Sequence, residues 1–82
     1  MPSLTIHAFI EFTAQELNVP VANLHEEVLY KAIPTWGSLN ALIYLSRIHS
    51  ETGVLLSSAE LSNLHTLRDL YERIISKQHD AQ

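Results

Sequence analysis

Along the first stretch of the chain the apolar residues Ile6, Phe9, Ile10 and Leu17 fall at three- and four-residue spacing, with Thr13 between them, and predict a helix from about Ser3 to Leu17. Asn18-Val19-Pro20 ends it, because the residue before a proline disfavours the α region. From Val21 to Gly37 the pattern is irregular. Asn23-Leu24-His25-Glu26-Glu27 can open one short turn, while Ile33-Pro34 and Gly37 prevent a long helix. A connection of this length tends to be functional or packed down by its own side chains, here Leu24, Val28, Leu29, Tyr30 and Ile33. A second helix runs from Ser38 to about Thr52. Leu39, Leu42, Leu45 and Ile48, spaced by threes, are expected to face the core, and Gly53 is placed to end the helix in the left-handed region. Ser57-Ser58-Ala59-Glu60 is a capping-box pattern and opens a short third helix to about Asn63. Thr66-Leu67-Arg68-Asp69 has the looser form of that signature, and Leu67, Leu70, Tyr71, Ile74 and Ile75 follow as the clearest amphipathic stripe. The expected fold is all-α: three main helices, one short helix and a long first loop, in one domain over residues 1–77 with a polar tail over 78–82.

Length and composition agree with that outline. Eighty-two residues hold one domain, and the absence of cysteine removes disulfides, thiolate metal sites and a cysteine nucleophile together. The core must come from aliphatic and aromatic packing, for which 46% hydrophobic residues suffice. A formal charge of −4, with five Lys and Arg spread along the chain, makes no phosphate-tracking stripe, so nucleic acid is not an expected partner. The start, Met1 to His7, has neither a basic region nor a sustained apolar run, and Ala41 to Leu45 is far too short to span a bilayer. A cytoplasmic protein without a membrane span is expected. The histidines at 7, 25, 49, 65 and 79 lie far apart, so no metal site is expected, and no catalytic Ser, His and Asp set can be named from spacing.

The order of elements, with Trp36-Gly37-Ser38-Leu39 at the head of the second helix, resembles the acyl carrier protein family over nearly the whole chain. Tyr30 and Ile33 sit where that family has its loop anchors, and Trp36 to Leu39 occupy its Asp-Ser-Leu signature, with Gly37 in place of the aspartate. The resemblance implies an acyl-carrier-like four-helix bundle. It also implies a phosphopantetheine arm on Ser38 that carries acyl or aminoacyl thioesters, in fatty acid or secondary metabolite biosynthesis. A helix N-terminus, with its unpaired N–H groups and partial positive charge, accommodates the phosphodiester of such an arm. The partners implied are a phosphopantetheinyl transferase and dedicated acyl-transferring, ligase or synthase enzymes. The protein itself would be non-catalytic.

The second helix carries the expected partner surface: Leu39, Ile43, Tyr44 and Arg47. Around them stand few charges, so contact by apolar burial, or self-association, is expected rather than the acidic steering usual in the family. Each feature also has a plain structural reading. Ser38 can be an N-cap, Trp36 an anchor for the loop rather than a gate, and Ile43 and Tyr44 part of a broad apolar face. Three functions follow. The first is a free-standing carrier modified at Ser38; the second is an unmodified carrier-like interaction module using the exposed face of the second helix. The third is an unrelated helical adaptor or helix-turn-helix regulator, of which the regulator suits an acidic chain poorly.

Overall fold

A computed structural model describes residues 4–80, with the side chain of Asp80 excepted; the expected helix start at Ser3 and the last two residues of the tail lie outside that range. Four α-helices follow in order: α1 (Ile6–Glu16), α2 (Ser38–Thr52), α3 (Ser58–Asn63) and α4 (Leu67–Asp80). No strand occurs among the described residues, only an isolated antiparallel bridge between Leu29 and Thr66. The all-α four-helix fold is the one expected from the hydrophobic pattern.

Local chemistry sets the helix ends. Thr5 Oγ1 accepts the Ala8 N–H at 3.1 Å and caps α1. At the other end Asn18 adopts φ 55°, its N–H reaching the Gln15 carbonyl while that of Val19 reaches the Ala14 carbonyl. That pair of bonds stops the helix before Pro20 is met, with asparagine in the left-handed position usually given to glycine. Gly53, at φ 75°, ends α2 in the same region. Ser57 and Glu60 form a reciprocal capping box on α3, and Thr66 and Asp69 exchange the equivalent bonds at the head of α4. Helix α4 continues to Asp80, three residues beyond Lys77, so the stretch read as tail is partly helical. Gln78 holds it there by donating to the Thr52 carbonyl at 3.1 Å.

Residues 17–37 are fastened by non-local bonds. Two 3-10 turns, Val21–Asn23 and Tyr30–Ala32, lie within the connection. The Val28 and Glu26 carbonyls accept the N–H groups of Leu67 and Arg68, which are first-turn donors of α4 with no partner inside their own helix. Thr35 Oγ1 donates to the Leu17 carbonyl at 2.5 Å, tying the end of the connection to the end of α1. Tyr30 is fully buried, and its hydroxyl donates to the Leu61 and Leu64 carbonyls at the end of α3. Its ring meets the edge of Trp36 at 5.1 Å between centroids, and Trp36 meets Tyr44 at 6.0 Å.

Helix α2 departs from the expected orientation. Leu45 and Ile48 are buried, but Leu39 and Leu42 are 70% and 61% exposed. A step of three residues falls about 60° short of a full turn, so four residues spaced by threes spread over half the helix circumference. The face that packs is Tyr44, Leu45 and Ile48, with Ala41 and Thr52 half-buried on either side. The Tyr44 and Thr13 hydroxyls share a buried hydrogen bond of 2.6 Å between α2 and α1, and no buried side-chain polar atom among the described residues lacks a partner.

Replacing Tyr30 by Phe strands the Leu61 and Leu64 carbonyls. It should lower unfolding stability by about 1–3 kcal/mol, read as a fall in the urea midpoint. Burial, and then the charge of Asp69, pushes the Tyr30 hydroxyl up to about 12, and burial pushes Tyr44 higher still. The unfolded chain therefore releases these protons first, above about pH 10. The stabilisation is complete below that pH and is lost as pH rises toward 12. Urea midpoints of the wild type should fall between about pH 9 and about pH 11, and fall less in Tyr30→Phe.

Candidate functional site

Ser38 is the first residue of α2 and is exposed; the N-cap is Gly37, not Ser38. The Gly37 carbonyl accepts the Ala41 N–H at 2.7 Å, and no side chain caps this end. The N–H groups of Ser38, Leu39 and Asn40 thus lack acceptors within the helix. The turn into α2 is fixed from behind. Trp36 N–H bonds the Ile33 carbonyl at 2.9 Å, and Asn40 Nδ2 reaches back to the Thr35 carbonyl at 2.5 Å. Trp36 is half-buried between two tyrosines, which makes it an anchor of the loop.

Beside Ser38 lies an open cleft of about 550 Å³ between α2 and α3. Trp36, Ala41, Leu42, Leu45 and Leu61 give it an apolar floor. Ser58 and Ser62, one turn apart on α3, line the opposite side together with Lys31 from the loop. The volume lies within the range of ordinary small-molecule sites, roughly 300–1,000 Å³. Lys31, Ser58, Ser62 and Leu61 were not singled out from the sequence. They come from two separate elements, and the one sequence signal that points to them is the one-turn spacing of Ser58 and Ser62 on α3.

Of the four residues expected on a partner surface, three are exposed and one is buried. Leu39 is exposed, Ile43 is 46% exposed, and Arg47 is exposed with its Nε 3.4 Å from a Glu16 carboxylate oxygen. Tyr44 is 0% exposed and belongs to the core, so it is removed from that surface. Its position follows from the helical period: Tyr44 is one residue from Leu45 and four from Ile48, on the packed side. Leu42 takes its place in the exposed set, giving an uncharged stripe of Leu39, Leu42 and Ile43 directly after Ser38.

All five histidines are exposed, and no group of three metal-ligating side chains forms among the described residues. No helix there is long and apolar enough to cross a membrane.

No family model matches this chain, and no curated protein or solved structure matches it.

The geometry of Gly37 leaves room for a side chain. A Cβ there meets nothing within 4 Å, and the backbone is extended, a conformation open to any residue. Gly37→Asp would place a carboxylate on the open N–H groups of α2. It should raise unfolding stability by about 0.5–1 kcal/mol, seen as a higher urea midpoint. An unchanged or lower midpoint would show that the carboxylate does not reach them.

Proposed function

We propose that this protein is an acyl carrier whose Ser38 accepts a phosphopantetheine arm. The observation that supports it most is the combination at one place of an exposed serine on the first residue of a helix, helix donors without a side-chain cap, and an apolar cleft beside them. In the loading step Ser38 Oγ attacks the phosphorus of coenzyme A that bears the pantetheine. A new O–P bond replaces the bridging P–O bond, the adenosine bisphosphate half leaves, and the hydroxyl proton passes to a base on the transferase. The open N–H groups of α2 would face the phosphodiester so formed, and their partial positive charge favours it. The thiol at the end of the arm then carries an acyl or aminoacyl thioester. The chain supplies no step of catalysis itself: it holds the cargo and presents it to a transferase, ligase or synthase. The stripe of Leu39, Leu42 and Ile43 would meet such enzymes by apolar burial, since Arg47 already faces Glu16.

The same exposed stripe favours a second function, an unmodified interaction module. The two are separated by incubating the protein with coenzyme A and a broad-specificity phosphopantetheinyl transferase and recording intact mass. The wild type should gain one phosphopantetheine and Ser38→Ala none, and Gly37→Asp should be modified faster because the transferase then meets an acid before the serine. No gain with several transferases would exclude the carrier and leave the interaction module. A gain that persists in Ser38→Ala would move the site elsewhere.

A further inference from the structure

The basic side chains of this acidic chain are almost all occupied by carboxylates. Arg47 faces Glu16, Arg68 faces Glu26, Glu27 and Glu72, and Arg73 and Lys77 both face Glu60. Lys31 is the exception among the described residues. Its Nζ donates to the Ser62 carbonyl and lies 5.8 Å from the centre of the Tyr30 ring, two uncharged partners. An ammonium carries three donors, so this one has donors to spare.

Lys31 lines the cleft that begins at Ser38, and no Asp or Glu lines it. The lining offers apolar contact through Trp36, Ala41, Leu42, Leu45 and Leu61, and a single cation, Lys31, bonded to Ser62 on α3. Such a surface discriminates by chemistry. Methylene groups gain by covering the floor, while an anion at the end of the chain gains an ion pair that a plain alkyl terminus cannot make. Lys31 Nζ is tied to α3 through the Ser62 carbonyl beside the Tyr30 ring, so the cation is placed at the cleft before any ligand arrives.

We propose that the cargo is an ω-carboxyacyl group, its methylenes on the apolar floor and its carboxylate paired with Lys31; the assignment rests on the carrier function proposed above. It is tested by loading wild type, Lys31→Arg and Lys31→Met from octanoyl- and suberyl-coenzyme A with a broad-specificity transferase, checking each product by intact mass. Thioester cleavage by hydroxylamine is then measured, each rate referred to the free coenzyme A thioester. The suberyl form of the wild type should be cleaved roughly fivefold more slowly than the octanoyl form, the scale of one partly exposed ion pair. The difference should survive in Lys31→Arg, vanish in Lys31→Met and shrink in high salt. Equal rates for the two cargoes in wild type overturn the assignment while leaving the carrier intact. A Lys31 ammonium signal that moves fully on adding the arm alone, with no further shift from suberyl, also overturns it, because the phosphodiester is then the partner. Absence of any mass gain overturns the carrier function and the cargo with it.

Discussion

The fold hangs on the seating of Tyr30. With no cysteine in the chain, residues 17–37 have to be held by packing and hydrogen bonds, and Tyr30 makes both at once. Its ring closes the space against Trp36, and its hydroxyl satisfies the last carbonyls of α3. Helix α3 spans only Ser58–Asn63, too short to persist on its own. Its capping box fixes one end and Tyr30 the other. Since α3 forms the wall of the cleft opposite α2, the same phenol that orders the loop also makes the cleft beside Ser38 possible. Loop order, the short helix and one wall of the candidate site therefore share the same hydrogen-bonded contact.

Features decided within a few residues were legible in the sequence. Gly53 in the left-handed region, the box at Ser57 and Glu60, and the exchange between Thr66 and Asp69 all follow from local backbone chemistry. The stripe on α4 was legible because Leu67, Leu70 and Ile74 keep the true helical period and all three are buried. On α2 a run of leucines at threes imitates that period and misleads. It points Leu42 inward, leaves Leu39 assigned both to the core and to the partner surface, and hides that Tyr44 is on the packed face, whereas both leucines are exposed and Tyr44 is buried. The bridge from Leu29 to Thr66 and the loop carbonyls on the head of α4 join residues far apart in sequence, and no local pattern encodes them. Lys31 was unremarkable for the same reason. Its meaning depends on which carboxylates the other cations have already met.

Charge placement and the apolar stripe are two sides of one arrangement. Arg68, Arg73 and Lys77 hold their partners on and around α4, and Arg47 binds Glu16 across to α1. The beginning of α2 is left with Leu39, Asn40, Leu42 and Ile43, exposed and uncharged. A partner approaching that face would find little long-range attraction and would depend on contact area and fit. Selectivity would then rest on short-range complementarity, which suits a few dedicated partners better than many.

Gly37 changes what the head of α2 can do. Had Ser38 been the N-cap, its oxygen would accept an N–H from its own helix, and any group attached there would compete with the cap. With Gly37 as the cap residue the serine moves one position into the helix, its hydroxyl is exposed, and the first N–H groups have no side-chain acceptor. An aspartate at 37 would supply that acceptor and a recognition charge together; glycine supplies neither. In the proposed carrier the arm's own phosphodiester would take the place of the missing cap, at the end of the helix where negative charge is favoured. Under that proposal, glycine at 37 leaves the head of α2 more dependent on the modification for its acceptor.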